Sequence, residues 1–123
     1  MIHELTVERL FAAAHAITMR GVREVMHGHH WTVRATVAGD RLDADGLLCD
    51  FHLIEAALDG IVARFHNRTL NDTPPFDVVN PTAEHVALHV AEEIARALPP
   101  GVRLVSASVT EAPGCTATVR PAS

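Results

Sequence analysis

The chain has 123 residues, enough for one domain whose core needs no disulfide or metal staple. Hydrophobic residues make up 48% and charged residues 20%, which excludes a disordered tail, and no apolar run approaches the roughly 20 residues that span a bilayer. The 10 basic residues, all Arg, against 15 acidic ones give a net charge of -5 with no basic cluster, so nucleic acid is not an expected partner. The start, Met1 to Leu5, lacks a basic stretch followed by an apolar one, so no signal peptide is expected. Cys49 and Cys115 then read as reduced thiols of a cytoplasmic protein.

Residues 4–15 place Leu5, Val7, Phe11, Ala13 and His15 at odd positions, a strand alternation interrupted by Arg9. Residues 16–26 have no period and contain Gly21, which predicts a loop. From 27 to 38, His27, His29, Trp31, Val33, Ala35 and Val37 share one face, while Thr32, Arg34 and Thr36 share the other. The turn-rich AGDRLDADG precedes LLCDF, which reads as the return strand of a long hairpin. Asp50 is a candidate N-cap for a helix with the stripe Leu53, Ile54, Ala57, Leu58, Ile61, Val62 and Phe65. Residues 66–79 read as a loop punctuated by Pro74 and Pro75. Asn80-Pro81-Thr82 opens a second helix, with Pro81 near its first position, and Pro99-Pro100-Gly101 ends it. Residues 102–111 and 115–120 are two further strands.

The order is ββααββ, or β-β-β-α-α-β-β if the return strand is counted. It predicts an α+β fold over residues 1–123, a single domain with a four-stranded antiparallel sheet and two helices on one face. Such a sheet leaves edges uncovered, which favours association.

Nine residues are His. His27 and His29, two apart on a strand, leave on the same face and can seat a transition metal between them. His15 ends the first strand and reaches the same point if that strand pairs with the second. Three neutral nitrogens with an open fourth position describe a catalytic zinc site; the alternative is a polar strand end without metal. His85 and His89, four apart on the second helix, read as partly exposed helix residues before they read as ligands. His66, after the first helix, is the spare candidate for acid–base work. Glu111 either faces water or accepts two parallel N–H bonds from a guanidine-like edge. Thr82 either starts its helix or, with the free N–H groups there, seats a polar ligand.

The segments FAAAH (11–15), HGHHWTV (27–33), DADGLLCDF (43–51), LND (70–72), NPTAE (80–84) and VTEA (109–112) carry a family resemblance. Over nearly its whole length the chain resembles the 6-pyruvoyltetrahydropterin synthases and the related 6-carboxytetrahydropterin synthases. The resemblance implies the tunnelling fold (T-fold) and a homo-oligomer, commonly a hexamer built as a dimer of trimers, with paired sheet edges and active sites at subunit boundaries. It implies Zn²⁺ held by His15, His27 and His29, and a pterin anchored through its amino-pyrimidine edge by Glu111 with the backbone around Thr82. The implied activity is lyase chemistry on 7,8-dihydroneopterin triphosphate or a related dihydropterin. Zinc polarises the side-chain hydroxyls, a base removes a carbon-bound proton, and the triphosphate leaves or the side chain is cleaved.

The chain departs from the family at the base. The family's Cys, four residues before the first His of HGH, is here Arg23, which stays protonated. Its Asp-His pair before LND is here His66 and Asn67. A subgroup uses Glu in place of the Cys and is associated with side-chain cleavage of dihydroneopterin substrates. Glu24, three residues before His27, is the candidate base, with His66 as its partner acid. The rival reading is a zinc- and pterin-binding homologue without the synthase reaction. Three His also suit other divalent ions.

Overall fold

The computed structural model describes residues 1–122. In chain order the elements are β1 (His3–His15), β2 (Thr18–Met19), β3 (Val22–Arg23), β4 (His27–Gly39), α1 (Phe51–Phe65), β5 (Arg68–Thr69), α2 (Ala83–Ala97), β6 (Arg103–Ala112) and β7 (Cys115–Val119), with a 3-10 turn at Leu70–Asp72. The two strongly alternating segments pair antiparallel along their length, from His3 opposite Gly39 to His15 opposite His27. Strand β6 covers the other side of β4, and β7 covers β6.

The sheet has five strands in the order β5-β1-β4-β6-β7, not four. The addition is the two-residue β5, which runs parallel to β1 at Ala13 and Ala14. No hydrophobic period marks so short a strand. It is placed by Asn67, which at φ 60 turns the chain out of α1 and donates its N–H to Ala12 O at 2.6 Å.

The expected return strand LLCDF does not form. Both edges of β4 are already taken, by β1 and β6, so a third partner has no free ladder. Asp43 instead folds the segment on itself, its side chain accepting from the N–H groups of Asp45 and Leu47. Phe51 is the first residue of α1, capped by Asp50, whose carboxylate accepts from His52 N at 2.9 Å.

Residues 16–26 contain a small hairpin rather than a plain loop. Arg20 and Gly21, both at positive φ (52° and 79°), form the two-residue turn between β2 and β3. Pro81 lies before the cap of α2 rather than inside the helix; Thr82 is the cap, its hydroxyl accepting from His85 N at 3.1 Å.

The odd positions of β1 and β4 face the helices. Val7, Phe11, Ala13, Trp31 and Val33 pack there with Ile54, Leu58, Phe65, Val86, Val90 and Ile94 in one core. The other sheet face is polar, with Thr6 against Thr36 and an ion pair of Arg34 with Glu8 at 2.7 Å. Leu58 is fully buried in α1. Leu58→Ala should lower the free energy of unfolding by about 2–5 kcal/mol, measured by denaturant titration; the partly exposed Leu53 should cost less on the same change.

Candidate metal and substrate site

At the sheet end where β1 stops and β4 starts, His15, His27, His29 and Glu111 converge, with one ligand atom from each within 4.8 Å of all the others. The sheet produces this directly. His15 and His27 are register partners, and His29 follows His27 on the same face. Glu111 arrives differently: the β6–β7 ladder slips between Thr110 and Ala112, so Glu111 is the bulge residue. A bulge re-aims its side chain, here into the group of imidazoles. The ring centroids lie 4.8 Å (His15–His27), 5.5 Å (His15–His29) and 4.6 Å (His27–His29) apart. Trp31 closes the floor, edge-on to His15 at 4.8 Å.

Backbone carbonyls orient two of the rings. His15 Nδ1 lies 2.8 Å from Pro81 O, and His27 Nδ1 lies 2.9 Å from Val25 O. A carbonyl only accepts, so each Nδ1 carries the proton and each Nε2 of the neutral ring is a free lone pair. That is how metal-binding His are commonly held.

His15 is only 1% exposed, and among the described residues its buried Nε2 meets no group that donates a hydrogen bond to it. It faces Glu111 Oε1 at 2.6 Å. Two lone pairs at that distance repel unless a cation, either a proton or a metal ion, lies with them. Burial, reinforced by His27 and His15 and opposed by Glu111, lowers the His29 pKa from its ordinary value, which favours the neutral ring. Three imidazoles and a carboxylate fit a divalent transition metal.

Glu24 lies behind His27. Its Oε1 accepts from Ile17 N at 3.0 Å and stands 3.7 Å from His27 Nδ1. Arg23 lines a separate polar cavity of about 300 Å³ with Asp72, Asp77 and Asn80. The alternation of side chains at β3 thus puts residue 24, not residue 23, toward the imidazoles.

His66 is not brought to this group. It caps α1 at the sheet edge, where its Nδ1 accepts from Ala12 N at 3.1 Å. Thr82 has its hydroxyl engaged as a cap and its N–H donated to Asn80 O at 2.8 Å. The N–H groups left open at that helix start belong to Ala83 and Glu84. Both residues line a cavity of about 480 Å³ together with Glu111, Cys115 and Thr116. Sequence reasoning missed Glu84 and Cys115 as neighbours of Glu111, and missed Pro81 O as the partner of His15. The NPTAE segment was the only signal for the first and last of these.

This α+β fold presents inward-facing imidazoles that could hold a metal ion beside an open cavity with room for a small molecule. The chain belongs to the 6-pyruvoyl tetrahydropterin synthase family, which it matches over residues 4–122. It is 34% identical over 101 residues to the dihydroneopterin monophosphate aldolase of Pyrococcus furiosus, covering 82% of each chain. It is 33% identical over 97 residues to the 6-carboxy-5,6,7,8-tetrahydropterin synthase of Bacillus subtilis, covering 74% of this chain and 64% of that one. The fold matches that of the Caenorhabditis elegans 6-pyruvoyl tetrahydropterin synthase with a TM-score of 0.86 at 19% identity, over 99% of this chain and 97% of that one.

Proposed function

We propose that this chain is a zinc-dependent lyase that cleaves the side chain of a phosphorylated dihydroneopterin, working in the cytoplasm as a homo-oligomer, most simply a hexamer. The observation that carries the reading is the buried Nε2 of His15, 2.6 Å from Glu111 Oε1 and grouped with two further imidazoles. His15, His27 and His29 would hold the ion, which when bound supplies Lewis-acid polarisation of the substrate's side-chain hydroxyls.

The chain's own residues do the rest. Glu111 accepts the amino and ring N–H donors of the pterin, in the cavity that opens between the start of α2 and β7. The N–H groups of Ala83 and Glu84 extend the role read for Thr82. Glu24 takes the proton of the 2′-hydroxyl. The C1′–C2′ bond breaks, and C2′ becomes the aldehyde of a two-carbon fragment that keeps the phosphate ester. The electron pair of the broken bond passes into the C6–N5 imine as an enamine, and a proton returned to C1′ completes a hydroxymethyl pterin. His66 is the acid read from the sequence. It has no contact with the imidazole group within the chain, so that role needs His66 of a second copy.

Side-chain cleavage is favoured over triphosphate elimination on two grounds. Arg23 cannot take a proton, and the Pyrococcus furiosus relative is an aldolase. The second reading, a pterin-binding protein without turnover, is favoured by the same Arg23 and by the engagement of Glu24 with Ile17 N.

The test is incubation of the zinc-loaded chain with dihydroneopterin monophosphate and, separately, triphosphate, followed by product mass. Hydroxymethyl pterin with a two-carbon aldehyde is the expected result. Released triphosphate would replace cleavage by elimination, and a bound but unchanged pterin would favour the second reading. Glu111→Ala should weaken dihydropterin binding by about 10- to 100-fold in a fluorescence titration, the loss of a charge-assisted pair of hydrogen bonds. Zinc content should stay unchanged; loss of the metal instead would make Glu111 a ligand rather than the anchor.

A further inference from the structure

We infer that Asn71 and Asn80 are positioning residues that set Glu24 beside the imidazole group through the backbone of residues 16–18; the inference rests on the reading of Glu24 as the base. The two side-chain amides make the same pair of bonds two residues apart. Asn71 accepts from Ala16 N at 2.9 Å and donates to Ala16 O at 2.8 Å. Asn80 accepts from Thr18 N and donates to Thr18 O, both at 2.9 Å. The residue between them is bonded to Glu24 instead. Ile17 N donates to Glu24 Oε1, and Glu24 N donates to Ile17 O, each at 3.0 Å.

The segment after His15 is thus gripped on alternate residues by two primary amides and by Glu24. An amide side chain carries one acceptor and two donors, so it can satisfy a backbone N–H and C=O together; a carboxylate or an alkyl group cannot. The two asparagines come from different elements, the 3-10 turn after β5 and the lead into α2. The second element also supplies Pro81 O to His15 Nδ1. One stretch of chain, Asn80-Pro81, therefore fixes both a metal-binding ring and the segment that holds Glu24. The grip also holds the turn that sends Arg23 toward Asp72 and Asp77 and leaves Glu24 3.7 Å from His27.

The test uses the zinc-loaded full chain with Asn71→Ala and Asn80→Ala, each also combined with Glu24→Gln. Backbone amide exchange at Ala16, Ile17, Thr18 and Glu24 should become faster by about tenfold or more, with the interiors of α1 and α2 unchanged. With dihydroneopterin monophosphate, kcat should fall by about 10- to 100-fold, the cost of misplacing a reacting group, while KM and zinc content stay within a few-fold. In the Glu24→Gln background the asparagine changes should cost nothing further, because they act through Glu24. Unchanged kcat, or an equal additional loss in that background, would overturn the inference. If Glu24→Gln retains wild-type turnover, or the wild-type chain turns over no dihydropterin, the base reading has failed. The exchange rates then decide the grip alone: faster exchange at the four amides upholds it and unchanged exchange overturns it. Should Asn71→Ala not fold, Asn71→Asp keeps the acceptor for Ala16 N, removes the donor to Ala16 O, and is read the same way.

Discussion

His27→Ala is expected to strip the chain of its metal. His27 contributes one of only three imidazoles, and no other His of the described residues lies in the group. Loss of an outer partner of a metal ligand already costs roughly 10- to 100-fold in affinity, so loss of the ligand itself should exceed about 100-fold. The substitution is chosen because it leaves the fold alone. The His27 side chain is 39% exposed, and the Val25 carbonyl it releases can turn to water. His15→Ala would confound the two effects, since it also empties a buried position against Trp31 and strands Pro81 O. The check is zinc content after dialysis against a weak chelator, with thermal unfolding of the metal-free forms compared in parallel. A His27→Ala chain that keeps one zinc at wild-type affinity would remove the three-imidazole site from the account.

Glu24→Gln is expected to lower kcat by about 100- to 10,000-fold, the usual contribution of a positioned general base. The amide keeps an acceptor for Ile17 N, so the loop should hold its shape. KM for the dihydropterin and zinc content should stay within a few-fold, the pattern of a group that acts in the transition state. Arg23→Cys is the informative companion. The family resemblance puts a Cys base at that position, but here the side chain of residue 23 lines the cavity with Asp72 and Asp77. The substitution should therefore create no triphosphate elimination. Elimination by Arg23→Cys would mean that the hairpin can present residue 23 to the metal.

The grouping of His15, His27 and His29 was legible because it depends on local rules. Strand alternation puts His27 and His29 on one face, and antiparallel pairing of the flanking segments forces His15 opposite His27. The helices were legible from their stripes, and the first also from its cap, Asp50; at the second, the reading of Pro81 as a helical residue hid the cap, Thr82. LLCDF was misread because its apolar run is short. At that length a strand and the approach to a helix look alike, and the ladder on β4 was taken by distant β6. Strand β5 and the aim of Glu111 were hidden for different reasons: β5 is set by Ala12, far along the chain, and Glu111 is aimed by a one-residue slip in the β6–β7 hairpin that no hydrophobic period announces. The near position of Glu24 was legible as a spacing, but its direction was not. Direction depends on the two-residue turn at Arg20-Gly21 and on bonds from Asn71 and Asn80.

The reaction run in deuterium oxide tests the central claim most directly. Zinc-loaded wild-type chain is incubated with dihydroneopterin monophosphate, and the pterin product is weighed after back-exchange of its N–H and O–H groups. Cleavage of C1′–C2′ with return of a proton to C1′ predicts a hydroxymethyl pterin carrying one non-exchangeable deuteron, formed by the zinc-loaded chain and not by the chelated one. A pterin recovered with its three-carbon side chain intact, or a product that forms equally without metal, would contradict the account.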